Sequence, residues 1–147
     1  MRTERIYLDF NATVPLNSSC KRAMIEAMSL VGNASSVHSE GREVRSLVEN
    51  AREKIAESIE AEPENLIFTS GATEGAALLL KGTNRVCAGV EHPCVSSWCK
   101  KSLRVKKNGK IEIINADQSA VQLANSETGI LQELPENLYM SDIVQAV

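Results

Sequence analysis

Apolar positions change their period several times along the chain. Ile6-Tyr7-Leu8 is a short apolar run that reads as a strand or an extended arm. Beyond Pro15 to Ser19, Met24, Ile25 and Met28 recur at helical spacing until Gly32-Asn33 ends the pattern. Val44, Leu47, Val48, Ala51, Ile55 and Ile59 then recur at intervals of three and four with Arg, Glu and Lys between them, which predicts the clearest amphipathic helix. Leu66-Ile67-Phe68-Thr69 predicts a short buried strand, which Ser70-Gly71-Ala72-Thr73 turns into an apolar helix from Ala76 to Leu80. Arg85 to Ala88 reads as a strand, Glu91-His92-Pro93 as a turn into a helix through Trp98, and the following basic ribbon turns at Asn108-Gly109. Val121 to Ala124 and Leu138 to Met140 are further strands. Asp142 ends the last of them and opens a helix that includes Val147.

Strands alternating with helices predict an α/β fold, with a mostly parallel sheet and helices on both faces. Ligands of such sheets bind beyond the carboxyl ends of the strands. Those ends carry Ser70 to Thr73, Glu91-His92, Asn125 to Gly129, and Asp142. One connection is tight: only 13 residues, Asn125 to Asn137, separate the last two strands. A parallel crossover commonly needs a helix, and Glu133-Leu134-Pro135-Glu136-Asn137 does not continue one. Together with an open sheet edge, this predicts a marginal fold prone to association.

Composition narrows the classes. The 147 residues are 43% hydrophobic and 24% charged, enough for a sizeable core in one soluble domain, and no repeat or linker divides them. No run approaches the roughly 20 apolar residues of a membrane span. The N-terminal MRTERIYLDF lacks the apolar stretch of a signal peptide. The expectation is a cytoplasmic protein with no membrane partner. Cys20, Cys87, Cys94 and Cys99 form no C-x-x-C pair, and only His38 and His92 could join them, so no metal site is expected and the thiols read as reduced. A net charge of −3 and five aromatic residues argue against a nucleic-acid partner. All 16 Lys and Arg residues lie at or before Lys110, and the Lys100 to Lys110 ribbon, with six of them, reads as a solvated hairpin.

The strand ends carry the candidate chemistry, and each residue has a plain structural reading beside it. Ser70 to Thr73 offers free N–H groups at a helix N-terminus, suited to an anion or simply to a cap. His92 could cover a planar ligand and pass a proton, or only shape a turn before Pro93. Asp142 could pair with a protonated ring nitrogen, with Gln145 one turn on, or only cap its helix.

The stretches IYLDFNAT, GNASSVHSEGR, FTSGATE, EHPCV, ANSETGILQ and SDIVQAV follow one another in an order that resembles the cysteine desulfurases, pyridoxal-phosphate enzymes of the class V aminotransferase superfamily. The resemblance implies that residues 1–147 are the N-terminal part of an aspartate aminotransferase-like large domain, before the lysine that binds the cofactor covalently. It places the cofactor phosphate on Ala72 and Thr73, and His92 over the pyridine ring with an acid/base role. Asp142 falls on the ring nitrogen and Gln145 on the ring hydroxyl. Asn11, Asn125 and Ser126 fall in the vicinity of substrate and cofactor, with Ser126 where the family usually has a second asparagine. His38 reads as structural. The activity implied is removal of sulfur from L-cysteine, giving L-alanine and an enzyme-bound persulfide for iron–sulfur cluster or thio-cofactor synthesis. The implied partners are a second copy or a complementary fragment, and a sulfur-acceptor protein. The family's lysine, substrate-binding arginine and persulfide cysteine have no counterpart here, so the chain alone is expected to be inactive. A non-catalytic remnant, a partner-binding half and another class V lyase are the alternatives.

Overall fold

A computed structural model describes residues 5–146, so residues 1–4 of the stretch read for a signal peptide, and Val147, lie outside the described residues. The described residues gather into two compact units, 5–67 and 68–146.

The first unit is helical. Helix α1 (Ser18–Met28) starts where Asn17 Oδ1 accepts the Cys20 N–H at 2.8 Å. Helix α2 (Ser39–Ser58) is capped by His38, whose Nδ1 accepts the Gly41 N–H at 3.3 Å, a structural use of that histidine. The glycine of the SEGR stretch is explained by space: a Cβ on Gly41 would lie 2.5 Å from the Ser36 carbonyl oxygen. Ile6 to Leu8 forms no strand among the described residues, which leaves the arm of the two readings. The strand expected at 66–69 does not form. A strand needs a neighbour to pair its backbone, and here Arg52 takes the Leu66 carbonyl while Ile67 and Phe68 stay exposed.

The second unit holds a five-stranded sheet. Strands β1 (Val86–Ala88), β2 (Lys100–Val105), β3 (Ile111–Glu112), β4 (Ser119–Gln122) and β5 (Met140–Asp142) lie in the order β3-β2-β1-β4-β5. All neighbours are parallel except β2 and β3. Side chains alternate across the sheet. Cys87 and Ala120 face helices α3 (Ala72–Leu80) and α4 (Pro93–Ser96), packing with Ala76, Leu80 and Val95. Ala88 and Val121 face the other side, with Leu103, Ile111, Leu134 and Leu138. Tyr139 ties the far edge down: its hydroxyl donates to the Leu79 carbonyl at 2.8 Å, and Arg85 lies 3.6 Å over its ring.

Several boundaries shift from the sequence reading. The predicted helix through Trp98 is a single turn, and β4 and β5 each begin or end two residues from the expected positions. The segment after Asp142 is a turn over the described residues 143–146, closed by Ala146 N–H on the Ile143 carbonyl at 2.8 Å. Residues 123–139 join the parallel strands β4 and β5 without a helix.

Leu80 is fully buried whereas Leu78, on the same helix, is 68% exposed. Leu80→Ala is therefore expected to lower the unfolding free energy by about 2–4 kcal/mol, and Leu78→Ala by less than about 0.5 kcal/mol, in urea titrations followed by circular dichroism.

Candidate active site

Helix α3 begins at Gly71, which has no side chain to cap it. Glu74 reaches back to accept the Ser70 N–H at 2.6 Å, and that hydrogen bond holds its carboxyl below the usual carboxylate range. The Ala72 and Thr73 N–H groups have no acceptor among the described residues, so the positive end of the helix dipole stays open. Ala72 lines a cleft of about 280 Å³ together with Gly75, Ala76, Cys94, Val95 and the end of β5 from Met140 to Val144. Its walls are apolar apart from Ser141 and Asp142.

Asp142 is buried, and its Oδ1 accepts the Val144 N–H at 3.0 Å. Among the described residues no Lys, Arg or His forms an ion pair with it. A buried carboxylate without a cation is costly, and this one stands at a cleft wall where a ligand could supply the charge. His92 is exposed and caps α4, its Nδ1 accepting the Cys94 N–H at 3.2 Å. With Nδ1 engaged as acceptor, Nε2 carries the ring proton. The structure thus brings Ala72 and Asp142 to one cleft. Thr73, His92 and Gln145 are not among its lining residues, and Asn11 belongs to the first unit.

Asn125 is fully engaged in shaping a loop. Its Oδ1 accepts the Glu127 and Thr128 N–H groups at 3.1 and 2.9 Å, and its Nδ2 donates to the Val90 carbonyl at 3.0 Å. Ser126 is exposed at the start of that loop.

The sequence reading did not single out Glu91. It is 5% exposed, and its Oε2 accepts the Gln122 N–H at 2.9 Å, while Oε1 is buried with no hydrogen-bond partner among the described residues. Burial, with Asp142 nearby, pushes its carboxyl up to about 7. The signal available in the sequence was an acid at a strand end between Val90 and His92, in a run otherwise suited to burial. Burial also raises the Cys94 and Cys99 thiols and pushes Cys87 up to about 12, so none is an activated thiolate. Among the described residues no group of three or more His, Cys, Asp or Glu could hold a metal, and no helix is long and apolar enough to cross a membrane.

Comparison with known proteins settles the family. The class-V aminotransferase family model matches residues 6–138. The chain belongs to that family. The mitochondrial cysteine desulfurase of Saccharomyces cerevisiae is 31% identical, over 91% of this chain and 33% of its own length. The cysteine desulfurase IscS of Dictyoglomus turgidum is 41% identical, over 64% of this chain and 26% of its own. Among solved structures, a NifS-like protein from Rickettsia africae superposes with a TM-score of 0.75 at 28% identity, covering 88% of this chain and 42% of that one. DndA from Streptomyces lividans gives 0.72 at 27% identity, over 96% of this chain and 50% of that one. The chain therefore spans half or less of the length of the relatives it matches. Its α/β unit with a mostly parallel sheet is that of the NifS-like class-V proteins.

The raised Glu91 carboxyl has a consequence for stability. Folded Glu91 keeps its proton up to about pH 7, whereas in the unfolded chain it ionises near 4.5. The folded state then binds the extra proton between those values, so stability is highest on the acid side of that window and falls as pH rises through it. Glu91→Gln should remove this component of the fall, on the order of 2–3 kcal/mol at most, in urea titrations run between pH 5 and pH 8. A variant with the same pH profile as the native chain would contradict this.

Proposed function

We propose that this chain supplies the pyridoxal-phosphate-binding portion of a cysteine desulfurase, residues 1–147 forming the N-terminal part of the large domain. The observation that carries the reading is the buried, cation-free Asp142 carboxylate in an apolar cleft that also opens onto the uncapped N-terminus of α3. The pairing suits a small ligand with a cationic ring nitrogen at one end and a phosphate at the other.

In this reading the Ala72 and Thr73 N–H groups and the Thr73 hydroxyl bind the phosphate. Asp142 accepts the proton-bearing ring nitrogen and keeps it charged, while its Val144 hydrogen bond fixes the carboxylate's direction. When bound, pyridoxal phosphate supplies the ring that stabilises charge developing on the substrate α-carbon. Met140 and Val95 exclude water from the cleft, which strengthens the contact at Asp142. His92 covers the ring and holds a transferable proton at Nε2, Gln145 contacts the ring hydroxyl, and Asn125 and Ser126 lie toward the substrate.

The substrate is L-cysteine, converted to L-alanine with the sulfur passed on as a persulfide to an acceptor protein for iron–sulfur cluster or thio-cofactor synthesis. Among the described residues no lysine lines the cleft, and the three thiols of the second unit are quiet. Turnover therefore draws on groups outside residues 1–147, for which a second copy or a complementary fragment is the proposed source, with the reaction placed in the cytoplasm.

The tests follow. The chain should bind pyridoxal phosphate reversibly in equilibrium dialysis, with no borohydride-trapped lysine adduct, and Asp142→Ala should weaken binding about ten- to a hundredfold, the worth of a hydrogen bond to a charged group. L-cysteine should yield no sulfide above the rate with free pyridoxal phosphate. Equal binding by Asp142→Ala would remove the basis for the assignment, and sulfide release by the chain alone would show that its own residues suffice.

A further inference from the structure

Glu91 lies one residue before His92 and one turn of chain beyond β1. Its Oε2 takes the N–H of Gln122, the last residue of β4, and Gln122 is in register with Asp142 on β5. Beside it, Asn125 Nδ2 donates to the Val90 carbonyl, and the Leu123 N–H donates to the Asp142 carbonyl at 2.9 Å. A chain of contacts therefore runs from the turn bearing His92, through Glu91 and Gln122, to the backbone of Asp142. The remaining carboxyl oxygen of Glu91 is buried without a hydrogen-bond partner among the described residues.

We propose that Glu91 is the positioning residue of the cleft: its carboxyl ties the His92 turn to the end of β4 and so fixes where the Asp142 carboxylate stands. The use of that carboxylate for the cofactor rests on the function proposed above; the positioning does not. Titratable groups face Glu91 from each element around it: Asp142 at the end of β5, Cys94 on α4, Cys87 on β1, and Cys99 just before β2. Lys101, across from Cys87 in the register, is the cation on that side, and no cation pairs with Glu91 among the described residues. Neutral Glu91 adds no charge beside Asp142. Ionised Glu91 repels Asp142 and so displaces its carboxylate, even though the Gln122 N–H bond itself is kept.

Amide exchange read residue by residue by NMR, corrected for intrinsic rates, tests this on the chain itself. The Leu123 and Val144 amides report the Asp142 backbone and carboxylate, and Cys87 and Ala120 report the sheet interior. In Glu91→Ala, protection at Leu123 and Val144 is expected to fall at least tenfold relative to Cys87 and Ala120, and in Glu91→Gln, which keeps the acceptor oxygen, to stay within about twofold of the native chain. Retained protection in Glu91→Ala, or an equal loss at all four amides, would overturn the proposal, because a merely structural role moves them together. If Glu91→Ala does not fold, the native chain compared with Glu91→Gln decides: above pH 7 the native Val144 protection should drop at least fivefold below the Gln variant, and matching profiles would overturn it. Pyridoxal phosphate dialysed against the same variants should bind at least fivefold more weakly to Glu91→Ala and be restored in Glu91→Gln at pH 6. Absence of binding to every variant would reject the cofactor reading, while the exchange pattern would still judge Glu91.

Discussion

A parallel sheet leaves the peptide groups at the carboxyl ends of its strands without partners, and much of this unit follows from how those groups are met. Strands of three or four residues offer few ladder bonds, so side chains supply the missing ones. Glu91 takes the Gln122 N–H, Asn125 the Val90 carbonyl, Asp142 the Val144 N–H, and His92 the Cys94 N–H. Of these strand-terminating residues, Asp142 also lines the cleft. Structure and chemistry are not alternatives at that position.

This economy fixes the electrostatics of the cleft. Two acids, Glu91 and Asp142, meet in apolar surroundings with no cation paired to either among the described residues. Burial, with Asp142 nearby, raises the Glu91 carboxyl. The thiols nearby are held protonated by the same burial. What remains is one carboxylate at a wall and one uncapped helix end. Together they favour a ligand of mixed charge over a simple anion or cation.

The sequence made the strand ends legible because glycine turns, an acid before an apolar helix-like run and a histidine before proline are local signals. It placed Ala72 and Asp142 as candidates, and these two share the cleft. It was less informative where tertiary partners decide. Leu66 to Thr69 has strand composition, yet it forms no strand among the described residues, and the run Ile143-Val144-Gln145-Ala146 has helical composition yet forms a turn over the described residues. Glu91 was placed at a strand end but given no role, because its burial depends on Gln122, 31 positions away in the chain. Asn125 was read for proximity to substrate, but its five hydrogen bonds to Val90, Gln122, Glu127 and Thr128 are what shape its loop.

The connection from β4 to β5 shows how a helix can be dispensed with. Asn125 folds residues 125–129 into a compact turn, closed by the Gly129 N–H on the Asn125 carbonyl at 2.8 Å. Gln132 then uses its side-chain amide as a peptide would, accepting from Ile111 N–H at 2.9 Å and donating to the Gly109 carbonyl at 2.9 Å. That contact fastens the loop to the end of β3 and leads Leu134 and Leu138 onto the sheet face formed by Ala88, Leu103 and Val121. Gly109 permits the approach: it has φ +79°, and a Cβ there would meet Ile130 Cγ1 at 2.6 Å. The face that a crossover helix would otherwise cover is therefore covered by a loop, and the loop's shape resides in buried amides rather than in helical periodicity. Hydrophobic pattern alone could not have shown it, since the residues that hold the connection together are polar.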